Sequence, residues 1–350
     1  MRSGRLASAG LFHEPRLCSR WLPRRPDALA NSDRVANLTA RVQVMSILAI
    51  GDAVVDLVCE EPVDRLAAAH AFVPHPGGSV ANTAVVATSL GARVALAGGA
   101  GADDWGVWLR HQFETRGVDL SWFSLVEGVH TPLVFITVDQ EGEPTYSIYG
   151  QDAGTIVAAL QGRVDDAVAA CDALLISSNS LVNMLECEIT MTARRRALAL
   201  QRPIVVDANI RPRRWSDTGR ATDAVLQLVP GTFLFRCNRS ESQMLTGEAD
   251  PAAAAKALVA AGARYAVITC GSGGALIRGE GMALDVPGVS ARAVDTTGAG
   301  DTFTAAMLAR LACGAFEPEV LGDALTEAVQ RSAHATEYFG AYPLDYTRLN

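Results

Sequence analysis

From residue 46 onward the chain alternates between two patterns. Short runs of apolar residues, continuous rather than alternating, recur at Ser46–Gly51 (S-I-L-A-I-G), Arg93–Gly98 (R-V-A-L-A-G) and Ala173–Ser178 (A-L-L-I-S-S). They recur again at Pro203–Asp207 (P-I-V-V-D), Thr232–Cys237 (T-F-L-F-R-C) and Tyr265–Thr269 (Y-A-V-I-T). Alanine-rich segments of helical length separate them. A continuous apolar run suits a strand buried on both faces, and the segments between suit crossover helices. The pattern predicts an α/β fold on a mostly parallel sheet. One stretch breaks the rhythm. Thr131–Tyr149 (T-P-L-V-F-I-T-V-D-Q-E-G-E-P-T-Y-S-I-Y) is two β-rich runs around a polar turn at Gly142, a hairpin signal. With Leu57–Val73 it is expected to form a small β-lid, its segments near 57–73 and 131–149.

Residues 1–44 follow neither pattern. They are rich in arginine and hold no lysine, Lys256 being the single lysine of the chain. They are expected to be a disordered or spurious extension, with Met45 opening the real protein, and a transit peptide is the alternative. Residues 45–350 then form the folded domain.

Composition narrows the function. The chain has 350 residues, 49% of them hydrophobic, enough for one large or two moderate domains. A net charge of -8 with no basic block in the body argues against nucleic acid, though not against a phosphorylated small molecule. Seven cysteines, an odd number with no C-x-x-C pair, indicate neither a zinc site nor a disulfide framework but reduced thiols in a cytoplasmic protein. No apolar run approaches the roughly 20 residues of a membrane span.

Candidate chemistry sits in the glycine-rich stretches. In D-T-T-G-A-G-D-T-F-T (Asp295–Thr304), glycines let backbone N–H groups converge. If Asp301 opens the helix that the next apolar run predicts, those groups form an anion site at its positive end. An acid beside an anion hole makes sense as a base taking a proton from a hydroxyl that attacks a phosphoryl group. The plainer alternative is that Asp301 caps the helix. Gly77 and Gly78 precede another expected helix with Asn82 one turn in, where main chain and amide can meet a ligand hydroxyl. Asp56, after the first strand, can grip two hydroxyls or be a solvated loop residue. Asn238 and Glu241, three apart after a strand, suit a water-bound Mg²⁺ or a helix-capping pair. Thr269-Cys270-Gly271-Ser272-Gly273-Gly274 is either a nucleotide approach or a hairpin turn.

In these motifs the chain resembles the PfkB-family, ribokinase-like carbohydrate kinases over roughly Ile47–Ala341. G-G-S-V-A-N-T-A and D-T-T-G-A-G-D-T-F stand in the family's order, with T-x-G-x-x-G and N-x-x-E between them. G-D-A-V-V-D-L at Gly51–Leu57 and D-A-N-I-R-P-R-R-W at Asp207–Trp215 are most similar to fructokinase-like members. The resemblance implies a three-layer α/β/α sandwich with a small β-lid, and ATP-dependent phosphorylation of a sugar primary hydroxyl. It implies Asp301 as catalytic base and Gly298, Ala299 and Gly300 as anion hole. Asp56, Gly77, Gly78, Asn82 and Arg211 would meet the sugar. Thr269, Gly271 and Gly274 would lie along ATP, and Asn238 and Glu241 would order Mg²⁺ through water. The hairpin Thr131–Tyr149 has too few partners to be stable alone, so it is expected either to close over sugar or to pair with a second subunit's lid in a homodimer.

Two departures bear on the substrate. The family's D-P-N is here Asp207-Ala208-Asn209. An arginine followed by A-D is here Gly150-Gln151-Asp152-Ala153-Gly154, which weakens the case for fructose or an acidic sugar. A 2-keto-3-deoxy sugar acid, ribose or a nucleoside are alternative acceptors, and a non-catalytic sugar-binding relative is another class. A nicotinamide-dependent dehydrogenase ranks far below, since no G-x-G-x-x-G follows the first strand.

Overall fold

The computed structural model describes residues 44–150 and 154–343. All but the last residue of the expected extension, and Asp152, lie outside them. Strands form at β1 (Ser46–Ile50), β2 (Val54–Val58), β3 (Val73–Gly77), β4 (Arg93–Gly101), β5 (Phe123–Val126), β6 (Leu133–Val138) and β7 (Pro144–Tyr149). They continue at β8 (Ala173–Ser177), β9 (Ile204–Asp207), β10 (Leu234–Asn238), β11 (Tyr265–Thr269), β12 (Ala275–Gly279) and β13 (Met282–Val286). The helices are α1 (Ser79–Ser89), α2 (Asp104–Glu114), α3 (Thr155–Leu160), α4 (Val164–Ala169), α5 (Met184–Ala199) and α6 (Thr218–Leu226). The last four are α7 (Arg239–Thr246), α8 (Pro251–Ala260), α9 (Ala299–Cys313) and α10 (Leu321–Ala335).

The continuous apolar runs become the middle of a nine-stranded sheet, ordered β13-β12-β11-β10-β9-β8-β1-β4-β5. Every pairing in it is parallel except β11–β12 and β12–β13. The runs are apolar throughout because both faces are covered. Ile47 and Ala49 enter one core with α1, α2, α9 and α10, while Leu48 and Ile50 enter another with α3 to α8. Leu175 and Val205 follow the first pair, and Ile176 and Val206 the second. This is the expected α/β/α sandwich. Each buried Val, Leu, Ile or Phe contributes about 1.5–3 kcal/mol, so these two cores dominate the stability.

The second sheet has four strands, ordered β3-β2-β6-β7, over a cluster of only Val58, Val134, Ile136 and Val138. β6 and β7 pair antiparallel as the hairpin signal predicts. The other lid segment differs from expectation. Most of Leu57–Val73 is a connection with one 3₁₀ turn at Leu66–Ala68, and the strands lie at its ends. Glu60, Glu61 and Pro62 stop β2. β3 reads V-P-H-P-G and is legible as a strand only because it stands at the sheet edge, where proline costs least.

β1, β9, β10 and β11 end at Ile50, Asp207, Asn238 and Thr269. Their carboxyl ends form the rim where an open α/β sheet receives ligands. Among the described residues, no helix is long and apolar enough to cross a membrane.

Candidate active site

Two helix N-termini meet at this rim. Gly78 caps α1 with φ 98°, a conformation that L side chains resist. Gly298 caps α9 with φ 73°. Asp301 is therefore the third residue of α9, and its side chain is 9% exposed. It does not cap its own helix. Ser79 Oγ donates to Asp301 Oδ1 at 2.6 Å and Asn82 Nδ2 donates to Oδ2 at 3.0 Å, so both partners come from α1. Burial raises the Asp301 carboxyl above its ordinary value, with the charge of Asp207 adding to it. The bonds from Ser79 and Asn82 and the charge of Arg211 pull the other way.

Asp56, on β2, is 7% exposed. Its carboxylate occupies the space a side chain on Gly77 would need, which is why glycine stands there. Burial pushes its pKa up to about 8, and the negative charges of Asp301 and Asp295 add to the rise while Arg211 opposes it. Two carboxyls with different surroundings thus share one pocket. Arg211 is exposed and stands over the Tyr146 ring at 5.7 Å. Tyr146 OH reaches Thr297 Oγ1 at 3.5 Å, and burial pushes the phenol up to about 12.

Asp56, Gly78, Asn82, Arg211, Gly298 and Asp301 all line one cavity of about 140 Å³. Asn82 Oδ1 is buried with no hydrogen-bond partner among the described residues, an acceptor ready for a ligand hydroxyl. Gly77 borders the cavity through Asp56. Ala299 and Gly300 form the first turn of α9. Ala299 N donates to Thr296 O at 3.3 Å, and the N-terminal end of the helix dipole is the kind of place that suits an anion.

The remaining candidates lie beyond that cavity, toward β10 and β11. Asn238 and Thr269 are register partners at the ends of these strands. Gly271–Gly273 is an exposed 3₁₀ turn, and Gly274 leads into β12, so the T-C-G-S-G-G stretch is a hairpin connection that also opens onto the rim. Asn238 and Glu241 form a reciprocal capping box at the start of α7. Glu241 accepts from Asn238 N and from Ile210 N, each at 2.8 Å.

Sequence reasoning singled out neither Ser79 nor Arg236. Ser79 lies inside the quoted G-G-S-V-A-N, and only the fold reveals that Asn209 Nδ2 donates to its hydroxyl while that hydroxyl donates to Asp301. Arg236 carried a signal, a lone charge within the apolar run Phe233–Cys237. The structure buries it between β9, β11 and α9.

The chain is similar in sequence and fold to known proteins. A probable fructokinase-5 of Arabidopsis thaliana is 26% identical over 266 residues, covering 76% of this chain and 82% of that protein. The crystal structure of a Vibrio cholerae fructokinase with fructose, ADP and calcium bound superposes with a TM-score of 0.75 at 25% identity, covering 85% of this chain and 95% of that one. Aminoimidazole riboside kinase of Salmonella enterica, complexed with aminoimidazole riboside and an ATP analogue, superposes at 0.72 and 25% identity, with the same two coverages. The model of the pfkB family carbohydrate kinases matches residues 45–341, and this chain belongs to that family.

Proposed function

We propose that this kinase moves the γ-phosphoryl group of ATP onto a primary hydroxyl of a sugar. One observation carries it: a buried carboxylate at a helix N-terminus, held by side chains of another helix and facing a sugar-sized cavity. Asp301 takes the hydroxyl proton. The hydroxyl oxygen forms a bond to the γ-phosphorus, the bond from phosphorus to the β–γ bridging oxygen breaks, and ADP leaves. The turn Gly298-Ala299-Gly300 receives the charge of the migrating group. Asp56, Gly77, Gly78 and Asn82 orient the sugar, and Arg211 sits beside the substrate at the cavity mouth.

ATP lies along Thr269, Gly271 and Gly274. Among the described residues no cluster of three or more His, Cys, Asp or Glu is placed to hold a metal ion, so Mg²⁺ fits as an ion carried by the nucleotide phosphates. Asn238 and Glu241 would hold its waters, Glu241 through the lone pairs its two backbone bonds leave over. Bound there, the ion neutralises phosphate charge.

Fructose is the leading acceptor, supported by the fructokinase relatives. A riboside is the second, because the riboside kinase covers the same 85% of this chain at the same identity. ADP release measured with fructose, ribose, 2-keto-3-deoxygluconate and nucleosides decides between them by kcat/KM. If no acceptor raises ADP release above the background hydrolysis of ATP, a non-catalytic sugar binder is the better description. Ile148 and Tyr149 on the small sheet are both more than half exposed. They offer the surface for a homodimer through the lid, which light scattering after size exclusion tests.

A further inference from the structure

A strand buried on both faces is a costly place for a guanidinium. Arg236 nevertheless sits in the middle of β10, 8% exposed. Its Nη1 meets Asp207 Oδ1 on β9 at 3.0 Å, and its Nη2 donates to Thr269 Oγ1 on β11 at 3.0 Å. Asp207 Oδ2 in turn accepts from Thr304 Oγ1 on α9 at 2.7 Å. The guanidinium carbon stands 5.8 Å from the centre of the Phe303 ring. Most tellingly, a side chain on Gly300 would place its Cβ 3.0 Å from both Nη1 and Nη2, and the three atoms nearest that point all belong to Arg236. The cation, not its carboxylate partner, faces the turn.

We propose that Arg236 is a positioning residue for phosphoryl transfer, its buried charge set directly beneath the Gly298–Gly300 anion hole. This rests on the assignment of that turn under the proposed function. An ion pair needed only for stability has no reason to lie against a turn that must receive negative charge. Arg236 does two things from this place. Its charge favours the anion that develops above Gly300, and its fork ties Thr269, on the nucleotide side, to Asp207 and through it to Thr304 of α9. A side chain at Gly300 would press on the guanidinium and force it to give by a few tenths of an ångström. Asp207 keeps the cation charged despite burial.

Four proteins test this: wild type, R236K, the double variant R236M/D207N, and D301N. R236M alone would leave Asp207 buried without its partner, so the double variant removes both charges at once and keeps the packing. Kinetics are read with the best acceptor, alongside the melting temperature. R236M/D207N is expected to melt near the wild type and to lose about 10- to 100-fold in kcat, less than the roughly 10²–10³ of a direct anion-hole donor. Its KM for the sugar should stay within about twofold, because the sugar cavity is not lined by Arg236. R236K keeps the charge but not the fork, so kcat should return to within about fivefold of the wild type while KM for ATP rises, because the tie to Thr269 is lost. Wild-type kcat in the double variant, with D301N inactive, overturns the role of Arg236 and leaves the site standing. A fall in melting temperature with kcat unchanged does the same. Wild-type turnover by D301N instead overturns the assignment of the turn itself.

Discussion

Asp301 could have been a helix cap, and its hydrogen bonds decide against that. Its two oxygens are held by Ser79 and Asn82 rather than by the backbone of α9. Asp301→Asn preserves size and removes the basicity, but leaves one acceptor oxygen where the carboxylate accepts from both Ser79 and Asn82. It is expected to cut kcat by roughly 10²–10⁴-fold, far more than the loss of one buried acceptor changes ligand affinity or melting temperature; a variant turning over at the wild-type rate removes Asp301 from the mechanism. As its carboxyl is raised by burial, the acid limb of kcat/KM should lie above the ordinary range of an aspartate. Asp56 carries a stability consequence of definite sign. With a folded pKa of about 8 against 3.8 for a free side chain, the native state holds a proton that the unfolded chain releases. That contribution is fully present below about pH 4 and is lost as pH rises through 8. Asp56→Asn should therefore raise the melting temperature more at pH 8 than at pH 5; an equal difference at both would show that Asp56 is not perturbed. The glycine turns before α1 and α9 made the positions of Asn82 and Asp301 near helix starts readable in the sequence, whereas Asp56 lies buried within β2 and not in a solvated loop after the first strand. Ser79 was not readable, because its role depends on α1 and α9 meeting across more than two hundred residues.

At the scale of elements, the hairpin β6–β7 is tied to the turn that leads into α9. Thr296 N donates to Gly142 O at 3.0 Å at the hairpin tip, and Tyr146 meets Thr297. Yet among the described residues the small sheet packs over a cluster of four buried residues with Val54, Tyr146 and Phe339 partly buried against it, too little for a stable unit of its own. Ligands that order the turn should therefore quiet the hairpin. Amide exchange across residues 133–149 is expected to slow at least about tenfold with sugar and a non-hydrolysable ATP analogue together, and identical rates with and without ligands would exclude lid closure. α7 provides a second element-level test. Glu241→Gln leaves a single acceptor oxygen where the carboxylate accepts two backbone N–H groups, at a cost of about 1–3 kcal/mol. If Glu241 also orders metal-bound water, the Mg²⁺ concentration for half-maximal rate rises too, and a lower melting temperature with unchanged Mg²⁺ dependence leaves capping as its whole role. The hairpin was readable from its alternating β-rich runs, whereas β3 was not, since two prolines in five residues look like a loop until an edge position is known.

For the whole molecule, the site follows from two cores sharing one sheet. α1 and α9 pack on the same face, so their glycine-capped N-termini emerge together at the carboxyl ends of the strands, beside the cavity lined by Asp56 and Asp301. The apolar runs were sufficient to foresee the sheet because their period is that of strands covered on both sides; the convergence of the two helix ends was not, because no local pattern encodes a contact so distant in sequence. Every strand, helix and candidate site residue described here lies between Ser46 and Ala335, and the family match spans 45–341. We therefore expect a chain beginning at Met45 to keep the folded domain and its chemistry. Met45 N donates to Ala312 O at 3.1 Å, fastening the start of β1 to the end of α9, so the cut belongs before this residue and not after it. The shortened protein should melt within about two degrees of the full chain, since a change of 1 kcal/mol moves the midpoint by about 2–4 °C for a domain of 150–250 residues and by less for a longer one. Its kcat and both KM values should agree within about twofold. A chain beginning at Leu48 removes the Met45 bond and the buried Ile47, and should lose several degrees. If the Met45 chain loses as much as the Leu48 chain, the domain needs residues before 45, and the boundary read from the hydrophobic pattern is wrong.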